Sequence, residues 1–275
     1  MITTNGVRGR LLAVSVGLLL ATVVPRAGAA TVTWDGSTDM NWDQPDSTSW
    51  GASTYNSGDT VSFAGAGLGT VVVRSAGVTP GAMTTSHGAG TYEFTNGPIS
   101  GNFYLDMNGA GTVRMDGTNR FAGTYHSDSV SVRAFANATL QIGNANAVGG
   151  GAILCSGYST LTVKNISGAP LVLTNRFGGD WFLNFGRGAA DGSDIEFQGS
   201  ITVPGGGAPA FDIAANGVNQ TVTFSGPITC GLNISGANGG LVKITSTNTP
   251  GITSDGIRLN AGGNSWSRAT LRREA

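Results

Sequence analysis

Few side chains in this sequence stand at the spacings that chemistry requires. Asp194 and Glu196 lie at i and i+2, with Asp191 just upstream. On a strand that spacing puts both carboxyls on one face, and two carboxylates about 5–9 Å apart can hydrolyse a glycosidic bond. The plainer reading is a solvent-facing row beside a turn. It is preferred because nothing in the sequence assembles a pocket around the pair. Asp39, Asn41 and Asp43 spell D-x-N-x-D, a calcium-loop opening. The Gly and distal Glu of an EF-hand are missing, so an Asx-turn or capping role is expected. His87 and His126 are the only histidines and are isolated in sequence, whereas a zinc site needs further ligands near them. Gly65–Gly69 (GAGLG) and Gly149–Ala152 (GGGA) have the composition of phosphate loops without the following Lys-Ser/Thr or a helix. Gly206–Asp212 (GGAPAFD) has the wrong spacing for a calcium-binding nonapeptide. There is no G-x-S-x-G elbow. No catalytic, cofactor-binding or metal-ligating residue is therefore assigned, and no cofactor is expected.

The elements that would position such residues are short strands. From residue 60 the chain is a string of runs such as TVSF (60–63), TVVVR (70–74), TYEFT (91–95), TVRM (112–115), TLTVK (160–164), DIEFQ (194–198) and QTVTF (220–224). Most alternate apolar with polar, which sends one row inward and one outward. Gly, Asn, Asp and Ser fill the gaps. Glycine alone counts 45 of 275 residues, about twice ordinary usage, without a collagen period. Three features favour a stack of coils over a sandwich. The outward residues are Thr, Ser, Asn and Gln more than Lys and Glu. Gly and Asn recur at corners, where left-handed backbone is needed. A phrase also repeats at distance. The expected fold is all-β, a right-handed single-stranded parallel β-helix (β-solenoid), with handedness taken from the crossover rule; a β-sandwich is the alternative.

The repeated phrase is Leu105–Asn119, LDMNGAGTVRMDGTN, which returns near Leu232–Asn248 as LNISGANGGLVKITSTN. Val113, Arg114 and Met115 match Val242, Lys243 and Ile244 at an offset of 129, and GPIS (97–100) matches GPIT (226–229) at the same offset. Val113, Met115, Val242 and Ile244 should point inward, as should Ile195, Phe197, Val222 and Phe224. Arg114 and Lys243 should point to solvent. The Thr-Asn ending supplies side chains that bond neighbouring backbone at the next corner.

Residues 1–30 read as a secretory signal peptide. Arg8 and Arg10 precede the short apolar run Leu11–Val24, and small residues Ala27 and Ala29 mark a cleavage site near Ala29 or Ala30. Loss of this segment removes Arg8, Arg10 and Arg26 and no acid, leaving 12 basic and 16 acidic residues, net −4. That balance offers no basic field for nucleic acid, and no stable membrane insertion is expected once the signal is cut. Cys155 and Cys230 would face an oxidising compartment. If a coil takes roughly 20–25 residues, the two lie about three to four coils apart, too far for a disulfide.

After the signal, Thr31–Trp50 carries Trp34, Trp42 and Trp50 at a spacing of eight. The rings suit a cap over the first coil; the sharper reading is a platform for sugar faces. Thr33-Trp34-Asp35-Gly36 with Asn41-Trp42, and then Gly109-Ala110-Gly111-Thr112, Gly117-Thr118-Asn119, Phe121, Gly123-Thr124 and Thr139-Leu140, resemble the autotransporter-associated β-strand repeat. The likeness is strongest at 31–50 and 91–153 and weaker at 226–260. It departs from the family phrase at TVRM (112–115) and at the single Gly of NRFAGTYHS (119–127). It implies a large exported bacterial solenoid, on the cell surface or secreted.

The expected organisation is a signal peptide at 1–30, a Trp-rich N-terminal cap at 31–58, a β-solenoid passenger at 59–263 and an irregular basic tail at 264–275. The expected function is that of a non-enzymatic, exported structural or adhesin-like solenoid whose partners are extracellular polysaccharide or cell-surface components. A polysaccharide lyase or glycoside hydrolase on the same fold and a carbohydrate-binding module are the alternatives. The module predicts at least two exposed, coplanar Trp rings.

Overall fold

The computed structural model describes residues 29–37, 39–42, 49–155, 159–179, 182–185, 193–202, 211–215, 220–229, 232–236, 241–246 and 257–260. The chain winds as a parallel β-solenoid. One sheet stacks Thr31–Thr33, Thr60–Phe63, Ala82–Thr85, Leu105–Met107, Asp128–Ala134, Ala152–Cys155, Phe177–Gly179 and Ile201–Thr202 in that order. A second stacks ten strands, from Asn41–Trp42 through Gly69–Val73, Thr91–Asn96, Thr112–Met115, Ala138–Ile142 and Thr160–Asn165 to Ile257–Asn260. Among the described residues the third side is a sheet from Leu171 onward, as Leu171–Leu173, Ile195–Phe197, Thr221–Phe224 and Leu241–Ile244. In the N-terminal half that side holds the two-residue pair Ser100–Gly101 with Arg120–Phe121. Turns differ in length: one rung of register carries Val132 to Ile153 in a short turn and Asn41 to Val72 in a longer one.

Period-two alternation becomes columns of like residues in this stack. Val32, Val61, Met83, Leu105, Val132, Ile153, Phe177, Ile201 and Ile228 lie one above another through the first sheet. All are buried. Each removes apolar surface from water against the rungs above and below, so burial accumulates along the axis without a wide core. On the outer face of the second sheet Thr91, Thr112, Thr139 and Thr162 form a threonine ladder. Uncharged polar rows of this kind stack without like-charge repulsion.

The expected inward residues Val113, Met115, Ile195, Phe197, Val222 and Phe224 are all buried. Val242 and Ile244 are only half-buried, although both pack against the core. They belong to the last strand of the third sheet's pairing order, so a described rung covers them on one side.

The repeated phrase takes a different course from the simplest expectation. Its two copies do not occupy equivalent sides. Leu105–Met107 is in the first sheet and Thr112–Met115 in the second, whereas Leu232–Gly236 is in the second and Leu241–Ile244 in the third. Ile99 likewise pairs with Val78 ahead of the short third-side pair, while Ile228 continues the first sheet from Ile201. The phrase therefore encodes a strand–corner–strand unit, one step further round the coil in the second copy. Its shared glycine has a physical cause. A Cβ on Gly97 would sit 1.6 Å from the Arg74 carbonyl oxygen, and one on Gly226 would sit 2.2 Å from that of Gly199. In both copies the corner lies against the backbone of the preceding coil, where no side chain fits.

The same columns bear on the cysteines. Cys155 is buried, with its thiol donating to the Ser159 carbonyl at 3.1 Å; Cys230 lies outside the described residues. Ile153, two residues before Cys155, is three rungs from Ile228, two residues before Cys230. At about 4.8 Å per rung that is about 14 Å, against an upper limit of about 7 Å between disulfide-bonded Cα atoms. Thiol titration of the denatured, unreduced protein is expected to find two thiols per chain; a crosslinked 155–230 peptide in a digest would refute this.

Candidate functional site

The residues singled out for chemistry are engaged in holding the coil. Asp194 accepts the Thr221 amide through Oδ1 at 2.7 Å, one rung away. Glu196 accepts from the Ser225 hydroxyl at 2.6 Å and from the Gln198 amide at 3.2 Å. Those two hydrogen bonds, the Ser225 one foremost, hold its carboxyl below the usual range, with a smaller contribution from the Lys243 charge. A general acid needs its pKa raised toward neutrality, so the direction here opposes that role. Asp191 lies outside the described residues.

Asp39 folds back on its own turn. It accepts the Asn41 backbone N–H at 3.2 Å and the Asn41 side-chain amide at 3.1 Å, and takes the Ser49 hydroxyl at 2.9 Å. The Asn41 amide first and the Ser49 hydroxyl second lower its pKa. This is the Asx-turn arrangement, and Asp43 lies outside the described residues. Among the described residues no group of three or more His, Cys, Asp or Glu side chains comes together. Positions 206–210 of the glycine-rich run also lie outside them, and only the backbone pairing of Phe211 and Asp212 is described.

Trp34, Trp42 and Trp50 are fully buried and meet edge to face, with centroids 5.1 Å (34–50) and 5.5 Å (42–50) apart. Phe63 and Tyr55 complete the cluster. The exposed coplanar platform that a sugar module would need is not formed by these rings. Aromatic edge-to-face packing inside the first coils uses them instead.

His87 is buried beside Tyr92, ring centroids 4.8 Å apart. Its Nε2 donates to the Thr112 carbonyl at 3.1 Å, which leaves Nδ1 as the unprotonated nitrogen, buried and without a partner. Burial lowers its pKa; the carbonyls of Thr112 and Gly90 work against that shift without cancelling it. The unfolded chain takes up a proton near the ordinary value of about 6.5, and the folded chain does so only at lower pH. Stability contributed by neutral His87 is thus complete above about pH 6.5 and is lost as pH falls below it, at up to about 1.4 kcal/mol per pH unit. Urea midpoints are expected to drop between pH 7 and pH 5 in the native protein, and His87→Gln to flatten that slope. An unchanged slope in the variant would remove His87 as the cause.

The outer face of the first sheet carries a cluster absent from the sequence reading. Gly123–Tyr125 turns back antiparallel to positions 128–130 through His126 and Ser127, both with positive φ (46° and 72°). Two consecutive positive φ values are the signature of a type I′ hairpin. His126-Ser127 lacks the Asn-Gly chemistry that would announce one. The hairpin covers Val130, Ala152 and Leu154 with Tyr104 and Tyr125. Arg133 locks it down. Its guanidinium is gripped by Asp106 at 2.8 Å through both Nε and Nη2, and lies 4.3–4.5 Å from the ring centroids of Tyr104, Tyr125 and Phe135. Bidentate pairing and ring stacking together saturate this cation.

Two shallow clefts flank the hairpin base. One, about 330 Å³, lies on the first sheet and is lined by Thr84, Asn102, Tyr104, Asp106 and Thr124 among others. The other, about 500 Å³, lies on the third side where the sheet is missing, with Asn102, Arg120, Asn146 and Gly149 in its lining. They share Asn102.

No family model, no curated protein and no solved structure matches this chain. Its charges form a pattern of lateral neutralisation: Arg114 with Glu93 at 3.1 Å and Asp116 at 2.8 Å, Arg133 with Asp106, and Arg176 with Asp128 at 2.7 Å. Three of these pairs link neighbouring strands or elements of the stack rather than converging on a cavity. No helix among the described residues is long and apolar enough to cross a membrane.

Proposed function

We propose that this chain is a non-enzymatic, exported β-solenoid that acts at or outside the bacterial cell surface as a structural, adhesin-like element. The observation that carries the reading is the use made of the outer-face carboxylates. Asp106, Glu93, Asp116 and Asp128 are paired with arginines, and Asp194 and Glu196 are spent on hydrogen bonds between and along rungs. Carboxylates engaged in this way hold the strands of the stack together and are poorly placed for proton transfer. The threonine ladder on the second sheet leaves a polar, uncharged row suited to extension and contact. The likeness of the tryptophan segment and of Leu105–Ile153 to the autotransporter-associated β-strand repeat, and the signal-like segment at 1–30, support export.

The test is fractionation of the producing cell with N-terminal sequencing of the recovered protein. The expected result is a chain starting near Ala30 or Thr31, in the surface or medium fraction. A chain retained inside the cell with Met1 intact would overturn export. Incubating the purified protein with a panel of polysaccharides is expected to release no new chain ends; release of unsaturated or reducing ends would overturn the non-enzymatic reading.

A further inference from the structure

The third side of the solenoid is a continuous sheet from Leu171 onward, but ahead of it the described coils make just the short Ser100–Gly101 pairing with Arg120–Phe121 and the single bridge from Val78 to Ile99. The larger cleft opens there and crosses successive coils. Gly101 pairs with Phe121. A Cβ on Gly149 would meet the Phe121 carbonyl at 2.1 Å, so Gly149 lies on the next coil. The Asn175 amide, beside the lining residue Thr174, donates to the Gly149 carbonyl at 3.0 Å and marks the coil after that. Three rung steps make a trough about 14 Å long.

Its lining differs in kind from the rest of the surface. Arg120 is exposed and, unlike Arg114, Arg133 and Arg176, makes no ion pair among the described residues. Among the described residues no carboxylate lines this cleft. Asn102 and Asn146 are exposed, and their side-chain amides have no partner among the described residues. Asn119 and Phe121 also reach the lining but are themselves buried. At Asn102, which lines both, the trough meets the smaller cleft, where Thr84 and Thr124 add two hydroxyls, Tyr104 adds a half-buried ring that also carries Arg133, and the Asp106 carboxylate is neutralised by that same Arg133.

An unneutralised guanidinium among free amides presents donors in the planar arrangement that a carboxylate or sulfate takes up. Amides and hydroxyls complement sugar hydroxyls, and an aromatic side chain gives an amphipathic surface for a sugar face. We infer that the trough from Arg120 across Asn102 to Tyr104 is a binding site for an acidic polysaccharide, with the anion of one sugar on Arg120 and a neighbouring sugar against Tyr104. A polymer suits two shallow, open clefts that meet at Asn102. This inference rests on the reading of the chain as an exported contact element and names the class of ligand it contacts.

Binding of the full purified chain to polygalacturonate, dextran sulfate and uncharged dextran would be measured by calorimetry at low and high salt. One or both acidic polymers are expected to bind, more weakly at high salt, and dextran is not. The two acidic arms separate carboxylate from sulfate as the preferred anion. Arg120→Ala is expected to weaken binding at least tenfold without moving the unfolding midpoint, since the side chain is exposed; Arg120→Lys should fall between, keeping the charge but not the fork. Asn102→Ala combined with Asn146→Ala should weaken binding with the charge intact. Equal binding of dextran, unchanged affinity in Arg120→Ala, or no binding of either acidic polymer would overturn the site. Because the measurement uses purified protein, such a failure would leave the localisation result standing.

Discussion

Phe197→Ala is expected to cost about 3–5 kcal/mol of stability. Phe197 is fully buried at the meeting of two sides of the coil. Its ring lies 4.5 Å from that of Phe177, edge to face, and 5.3 Å from that of Phe224, stacked. Phe224 is the next rung of the same column and Phe177 belongs to the first sheet. Truncation therefore removes a large apolar surface and opens a cavity among neighbours held by backbone ladders on either side. A ladder cannot collapse inward without losing hydrogen bonds, so little of the cavity is relieved. Val172→Ala, on an outward-facing position of the neighbouring strand that is 39% exposed, should stay within about 0.5 kcal/mol. Urea midpoints of the two variants measure the contrast. A near-neutral Phe197→Ala would mean that the inward and outward faces of the third sheet are reversed.

Asn119→Ala comes next, at about 2–6 kcal/mol, reckoned as two buried polar groups at about 1–3 kcal/mol each. Asn119 is buried and ties three coils together. Its Oδ1 accepts the Ile99 N–H at 2.8 Å, and its Nδ2 donates to the Ala147 carbonyl at 2.6 Å. Alanine leaves both backbone groups buried and unpaired. Asn119→Asp keeps the acceptor but sets a carboxylate against the Ala147 carbonyl, so it should not rescue. Hydrogen exchange gives the more specific readout: the Ile99 amide should lose protection beyond the global loss, while Thr118→Ala, at an exposed neighbour, should leave it intact. Ile99 protection unchanged in Asn119→Ala would refute the bridge. Asn144, Asn165 and Asn175 make analogous side-chain bonds to the backbone of neighbouring coils, so the loss at one corner measures a device used along the stack.

Much of this architecture was legible in the residues because it rests on local rules. Alternation of apolar and polar residues decides which side chains turn inward whatever lies beyond the strand, and Val113, Met115, Ile195, Phe197, Val222 and Phe224 followed it. An asparagine buried at a corner must satisfy its amide within the protein, and the Thr-Asn ending of the first repeat does so through Asn119; its counterpart Asn248 lies outside the described residues. Glycine at Gly97 and Gly226 marks a close backbone approach that no other residue permits. Parallel stacking followed from corner chemistry and weakly charged outer rows, which together suit coils better than hairpins.

Tertiary structure alone decided which side of the coil each phrase occupies. Side is set by the summed length of strands and corners. That sum differs between the turn from Val132 to Ile153 and the longer one from Asn41 to Val72, so equal spacing in sequence does not mean equal position in space. The lateral neighbours of a residue lie about one turn away in each direction, beyond any local pattern. Hence the grip of Asp106 and three rings on Arg133, the edge-to-face meeting of the three tryptophans, and the exposure of Arg120 in the larger cleft without an ion pair among the described residues could not be read along the chain. They arise from contacts made between coils.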